Sequence, residues 1–373
     1  MSSEAYLGQR LAALRNLQGI TQDELAVNLG VSASFLAAVT KGNKKFPDSL
    51  AAAAAERYRV PLTFFKVRPD PADIGPVTFK KTSAARKRDE DRVIELYNEA
   101  ARLARHASQL SGWREVSLPH APDYDGDPEE IATAVRNAAG LLATQPIENM
   151  TRTVERLGVT VVHRLDPDDA DDSAHAGASR PSPWSTRPLI GLAATLAPAK
   201  KRHTIAHELF HIIAHQGLDV APTKVRDPRE RAADRFARAL MLPAEVALHE
   251  ISESLTLQGY LKLKMKYGMG VDVLIKRGED LGLLTSKRAR SLYIQWSSHG
   301  WRTKEPVNVI DEVPVLLGQA LQRAHGRAYA MKASHITGVS ADLIRLWVGP
   351  AVDPPADDDL PSNVLRLPGP TGS

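Results

Sequence analysis

The sequence predicts a mostly helical α+β protein, in which an all-α N-terminal bundle is followed by a domain with a small sheet and then by a helical C-terminal region. Apolar residues recur at helical spacing along most of the chain. Two short runs, 158–163 and 188–192, have the β-branched or apolar composition of strands. The 373 residues are enough for two or three domains.

Composition restricts the class of protein. With 43% hydrophobic and 25% charged residues, the chain has the make-up of a globular protein. No run reaches the ~18 apolar residues of a membrane span, and no basic segment followed by an apolar one opens the chain, so we expect a cytoplasmic protein with no membrane partner. The absence of cysteine excludes disulfides, thiol nucleophiles and cysteine zinc sites, so any metal must be bound by His, Asp or Glu. The net charge of +4 permits contact with nucleic acid.

Shifts in composition divide the chain into six segments. Proline and glycine mark a linker at 70–76, and the chain from 349 onward is rich in proline and aspartate. We expect a helical bundle at 1–68, a basic and helical linker region at 69–127, the domain with the sheet at 128–250, a helical region with a helix-turn-helix-like segment at 251–308, a C-terminal helical segment at 309–348 and a disordered tail at 349–373.

The bundle at 1–68 has the local signals of a helix-turn-helix. Thr21 and Glu24 have the spacing of a capping box, in which each side chain accepts a hydrogen bond from the backbone of the other. Gly30 supplies a turn and Ser32 can cap the next helix. Residues 32–41 are therefore the predicted recognition helix.

Over residues 7–65 the sequence resembles the XRE (Cro/C1-type) helix-turn-helix family. The resemblance implies DNA binding through six polar residues: Gln22, Ser32, Ser34, Lys41, Asn43 and Lys44. A homodimer associated with the nucleoid is expected, because operators are commonly two-fold. The alternative is a bundle that only dimerises or binds a partner, because Ala33, Ala37 and Ala38 offer bases methyl contacts and no hydrogen bonds.

An HExxH motif, His207-Glu-Leu-Phe-His211, stands in a helical pattern. Positions i and i+4 lie on one face of a helix, so both imidazoles can reach one ion. Glu208 projects beside them, where it can act as a general base. The motif predicts a metal site with the potential for hydrolysis.

Catalytic zinc usually takes three protein ligands, and Glu230 and Asp234 are candidates for completing the site. The first carboxylate can bind the metal, while the second accepts a hydrogen bond from a ligand imidazole. Two alternatives stay open. Asp227-Pro-Arg-Glu230 is also the pattern of a helix N-terminus, with Glu230 at N3, and Asp234 can be a solvated surface charge.

Two further histidines flank the motif. His215 shares its helical face, but eight residues place it about 12 Å from His207, too far for the same metal. We expect His215 to be a packed or surface histidine, and His203 to be structural.

Three stretches, Arg202–His211, Glu230–Ala237 and Leu240–Pro243, resemble the ImmA/IrrE peptidase family, some members of which are fused to XRE-type domains. The resemblance covers about 130–305 and implies a zincin-like fold that binds Zn²⁺. Carried over by position, His207, His211 and Glu230 bind the metal and Glu208 is catalytic. The chain departs from the family at Phe210, where glycine is common, and at Asp234, where asparagine is frequent.

The resemblance implies a zinc metallo-endopeptidase and DNA-binding regulator that cleaves a repressor or other regulatory protein, in a bacterial or phage stress or mobile-element response. The alternative is a non-catalytic transcription regulator or antitoxin with a structural or sensory zinc site. The intact Glu208 favours the enzyme, because a structural site does not use it.

Overall fold

The protein, seen here in a computed structural model, is the mostly helical α+β molecule that the sequence predicts. The structure describes residues 5–81, 87–113, 115–168, 175–193, 195–217 and 227–349. The expected disordered tail therefore lies almost wholly outside the described residues. No helix in the described part of the chain combines the length and the apolar character needed to cross a bilayer.

The N-terminal bundle contains helices α1 (Gln9–Gln18), α2 (Gln22–Asn28), α3 (Ala33–Thr40) and α4 (Asp48–Tyr58). Thr21 and Glu24 form the predicted capping box at the start of α2, and the Ser32 hydroxyl accepts the Phe35 amide at the start of α3. Gly30, between α2 and α3, has a φ of 66°, which glycine adopts without strain. These local signals fix the angle between the two helices of the motif.

Within the described residues, four short strands form one sheet: β1 (Thr78–Lys81), β2 (Thr160–Val162), β3 (His175–Ser179) and β4 (Leu189–Leu192). Their order is β1-β3-β4-β2; β2 and β4 are parallel, and the other two pairs are antiparallel. β2 and β4 are the strands expected from the sequence. β4 is flanked by β3 and β2, so neither of its edges is free to pair with a peptide.

In the described part of the chain, helices surround the sheet and build two large hydrophobic cores. The remaining helices are α5 (Lys87–Ser111), α6 (Pro128–Ala138), α7 (Met150–Arg156), α8 (Pro198–Ala214), α9 (Pro228–Met241), α10 (Ala244–Glu250), α11 (Leu257–Tyr267), α12 (Val271–Asp280), α13 (Ser286–Ser298), α14 (Leu316–His325), α15 (Tyr329–Thr337) and α16 (Ala341–Val348). One core joins α6 to α13 with the inner side of β2 and β4. The other joins the N-terminal bundle, α5 and α14 to α16.

Helix α5 connects the bundle to the rest of the molecule. Arg10 on α1 donates to the Glu99 carboxylate on α5 at 2.8 Å, and both side chains are buried. Burial opposes ionisation of Glu99, but Arg102 and Arg10 outweigh it and lower its pKa. On the other side of this core, the Trp347 indole donates to the Leu165 carbonyl at 3.0 Å. The segment 69–127, expected as a linker region, thus supplies a strand to the sheet and a helix to a shared core.

Candidate metal centre and nucleic-acid surface

Helix α8 carries both histidines of the HExxH motif. Pro198 occupies its first turn, where a missing N–H costs nothing. Ile205 and Leu209 lie in the core, which orients the helix so that His207 and His211 face α9. Their Nε2 atoms are 3.1 Å apart, and the two rings are almost completely buried.

Helix α9 brings the Glu230 carboxylate to the two imidazoles. Its oxygens lie 3.2 Å from His207 Nε2 and 3.2 Å from His211 Nε2. Asp227 caps the helix by accepting the Arg229 amide, and Pro228 occupies the first turn. The helix-terminus pattern seen in the sequence is therefore real, but the Glu230 side chain points to the histidines.

The three groups fit a tetrahedral metal ion. Ligands at 2.0–2.1 Å in a tetrahedron lie about 3.3 Å from one another, close to the separations found here. A buried carboxylate needs a compensating positive charge. Here that charge can come from protons on the two imidazoles or from a cation bound between the three groups. His207, His211 and Glu230 form a group that can hold a metal ion.

The electrostatics of Glu230 favour its charged form. Burial raises the cost of ionisation, but hydrogen bonds and charge from His207 and His211 outweigh it and lower the pKa to about 2. The carboxylate is therefore ionised at neutral pH, as metal binding requires.

Asp234, one turn beyond Glu230 on α9, orients the first histidine. Its Oδ1 lies 2.8 Å from His207 Nδ1, so the Nδ1–H group can donate to it and leave Nε2 free as a lone pair. His203 Nε2 lies 3.3 Å from the same oxygen. Asp234 thus has the geometry of the outer hydrogen-bond partner that the sequence pattern predicts.

His215 stands behind the second histidine, not on the surface. Its Nδ1 is 2.7 Å from His211 Nδ1, and its ring meets Phe210 edge-on at 5.5 Å. Burial, with smaller effects from His211 and Arg229, lowers the pKa of His215 to about 4, so the ring is neutral at pH 7 and its Nδ1 can accept the His211 proton. This contact with His211 was not predicted from the sequence, where His215 is only too far along the helix to bind the same metal as His207.

Glu208 lies in a closed compartment under β3. It has no exposed surface, and the Ser179 hydroxyl donates to its Oε2 at 2.5 Å. Its Oε1 is buried without a hydrogen-bond partner among the described residues. Gly177 passes so close that a Cβ there would lie 3.0 Å from Glu208 Cγ and 2.5 Å from Thr204 Cγ2. No sequence pattern identified Ser179 or Gly177. Both lie on β3, and their contacts with Glu208 exist only because β3 packs over α8, a separate segment of the chain.

A cavity of about 750 Å³ opens beside the centre. His203 and Asp234 line it at one side, and Trp296, Trp301 and Glu305 line it at another. Its volume is in the range of pockets that hold small molecules or side chains.

The residues predicted to face DNA lie together around α2 and α3. Ser32, Ser34, Lys41, Asn43 and Lys44 are exposed, and Gln22, in the first turn of α2, is half-buried. The Ser32 hydroxyl serves the cap of α3 and also lies 3.2 Å from the Ser34 hydroxyl. The Lys44 ammonium is 5.3 Å from the centre of the Phe35 ring. This contact holds the ammonium beside the predicted recognition helix.

The domain has the arrangement of a zincin-like fold: a short mixed sheet packs against a helix with two histidines, and the next helix supplies a carboxylate. A helix-turn-helix bundle precedes this domain. Comparison with known families agrees with this class. Residues 154–278 match the IrrE N-terminal-like domain of the peptidase M78 family, and residues 6–63 match a helix-turn-helix domain. The fusion predicted from the sequence is therefore confirmed. Neither the curated proteins nor the solved structures compared with the chain gave a match.

Proposed function

We propose that this protein is a zinc-dependent endopeptidase that cleaves a regulatory protein and is held at DNA by its helix-turn-helix domain. The observation that carries the proposal is Glu208: a buried carboxylate, adjacent in sequence to a metal-site histidine, with one oxygen that has no partner among the described residues. A site that only stabilises a fold has no use for such a group.

Zinc is the metal that this donor set suits best. Two imidazoles and one carboxylate are the ligand set of several catalytic zinc sites, and the chain has no cysteine to favour a structural site. Bound by His207, His211 and Glu230, the ion would supply Lewis acidity toward a peptide carbonyl and a water molecule.

The protein's own residues perform the proton transfers. Glu208 accepts a proton from the attacking water and then gives it to the amide nitrogen as the C–N bond breaks. The Ser179 hydroxyl fixes the carboxylate through Oε2, which leaves Oε1 for the proton. Asp234 and His215 hold the two imidazoles in the tautomer that keeps Nε2 for the metal.

The exposed polar residues of α2 and α3 support the DNA part of the proposal. Gln22, Ser32, Ser34, Lys41, Asn43 and Lys44 are the residues we assign to DNA contacts. The two lysines are suited to phosphates, and a homodimer would match a two-fold operator. The substrate we propose is a transcription regulator found near the same DNA.

A second candidate is a regulator whose zinc site is sensory and does not hydrolyse peptides. The complete burial of Glu208 favours it, because a base that no solvent reaches cannot act in the closed form.

The substitution Glu208→Gln separates the two candidates. We expect the variant to bind zinc as wild type does and to lose at least about 100-fold of its activity, the scale of general base catalysis. Full-length protein, loaded with zinc, is incubated with labelled casein and with host-cell extract, and new N-termini are identified by mass spectrometry. Glu130→Gln, on the exposed side of α6, is the matched control. If the Glu208 variant retains zinc and produces the same fragments at the same rate, the peptidase proposal is wrong.

A further inference from the structure

Strand β1 lies on the outer edge of β3, the strand that covers Glu208. It pairs in antiparallel register, with Thr78 opposite Ser179 and Phe79 opposite Ala178. β1 comes from the segment between the helix-turn-helix bundle and α5. A piece of the connection between the two units therefore lies at the candidate catalytic base.

The β3 edge is the place where an extended peptide can pair next to Glu208. Peptides commonly bind by adding a strand to a free sheet edge. β4 has neighbours on both sides, and the β2 edge lies two strands from β3, about 10 Å away. Among the described strands, the only sheet edge that adjoins the Glu208 compartment is thus the one that β1 occupies.

The side chain of Thr78 closes the compartment. Its hydroxyl lies 2.7 Å from the Ser179 hydroxyl, 2.9 Å from the Ser179 carbonyl oxygen and 3.4 Å from Glu208 Oε2. Thr78 is 1% exposed, and Ser179 and Glu208 are fully buried. While β1 is in place, neither a peptide strand nor solvent reaches Glu208 from this edge.

We infer that β1 is an internal occupant of the substrate position, a strand that holds the peptidase closed and must leave β3 before a protein substrate can pair there. The inference rests on the proposed function and concerns its regulation. Release is feasible because β1 is an edge strand that pairs only with β3 in this sheet, and its register is irregular between Phe79 and Lys81. An edge strand of this kind separates more easily than β4, which is paired on both sides.

A reversible disulfide tests the inference directly. Thr78 and Ser179 are directly opposite, and the chain has no cysteine, so the double variant Thr78→Cys/Ser179→Cys can form only this bridge within one chain. We expect the oxidised protein to cleave labelled casein at least about ten-fold more slowly than the same protein after reduction, because the open form is a minor state that the bridge removes. The two single-cysteine variants, treated identically, should show no such redox dependence.

Weakening β1 should have the opposite effect. The variant Thr78→Gly/Phe79→Ser lowers strand propensity without changing Ser179, and we expect casein cleavage at least about three-fold faster than wild type, at equal zinc content. A general loss of structure would slow cleavage instead. Equal and measurable rates for the oxidised and reduced disulfide variant, with the bridge verified by mass spectrometry, would overturn the inference. Slower cleavage by the weakened-strand variant would also overturn it, when the circular dichroism and zinc content of that variant match those of wild type.

Hydrogen–deuterium exchange gives a readout that needs no activity. In the wild-type protein the amides of β1 should exchange through local opening at least about ten-fold faster than those of β4. Exchange of both strands only by global unfolding would make β1 a permanent part of the sheet, and the inference would fail even if the protein is a peptidase. Fast β1 exchange in a protein that cleaves nothing would instead count against the proposed function alone.

Discussion

The Nδ1 atom of His207 lies 2.8 Å from Oδ1 of Asp234, so a half-buried carboxylate on α9 supplies the partner that fixes a fully buried ring. A hydrogen bond to Nδ1 decides which nitrogen is left for a metal and makes that nitrogen more basic. The contact therefore links the surface of α9 to the chemistry of the centre.

Removing this partner should weaken metal binding without abolishing it. We expect Asp234→Ala to lower zinc affinity by about 10–100-fold, measured by competition with a chromophoric chelator. Asp123→Ala is the control, because Asp123 also contacts a histidine, His120, but both side chains are exposed. An unchanged affinity for Asp234→Ala would mean that the aspartate does not orient His207.

His215 should act on the second ligand in the same way. We expect His215→Phe to lower zinc affinity by about ten-fold, and His215→Gln, whose amide oxygen can accept the His211 proton, to retain most of it. A packing role alone would predict the reverse order, because Phe fills the space better than Gln. The exposed His335, changed to Phe, is the control.

The stability of the fold should fall in mild acid. Burial, assisted by Lys201, lowers the pKa of His163 to about 4 from the ordinary 6.5. Between these values the unfolded chain binds a proton that the folded protein does not, so the free energy of unfolding decreases as the pH falls from 6.5 to 4. His215 has a shift in the same direction.

The variant His163→Leu isolates one part of this dependence. We expect the difference in unfolding free energy between pH 7 and pH 4 to shrink by about 2–3 kcal/mol relative to wild type, measured by urea denaturation at both pH values. An identical pH dependence in the two proteins would show that folding does not lower the pKa of His163.

The lysines at the end of α3 should contribute to DNA affinity without reading its sequence. For each of Lys41→Ala and Lys44→Ala we expect the slope of log K against log salt to fall by about 1, on specific and unrelated duplexes alike. Lys262, exposed on α11 in the other unit, provides the control substitution. No binding by the full-length protein at low salt would contradict the DNA assignment.

Local patterns predicted much of this molecule. The HExxH spacing predicted that both histidines lie on one face of α8. Glu230 was predicted as the third ligand from its position in the first turn of the next helix. The capping box and the Ser32 cap predicted the helix-turn-helix. Both interactions join residues three positions apart, so they can be recognised in the sequence. Each of these features is set by residues that are close in the sequence.

The features that the sequence did not predict depend on contacts between segments that are far apart in the chain. β3 consists of His, Ala, Gly, Ala and Ser, which have low strand propensity, and it forms because it pairs on both sides and passes over α8. The contact between Ser179 and Glu208, and the closure by Thr78, follow from that pairing. Packing of α14 to α16 on α5 and the N-terminal bundle likewise has no local signal.

The most direct test of the account is the zinc content of the protein and of Glu230→Ala after dialysis against a weak chelator. We expect about one zinc per chain in the wild type. In Glu230→Ala we expect the zinc affinity to fall by more than the ~10–100-fold expected when Asp234, which only contacts a ligand, is removed. Glu130→Ala, on the exposed side of α6, should retain zinc as wild type does. Equal zinc affinity in wild type and Glu230→Ala would contradict the three-ligand centre on which the proposed chemistry depends.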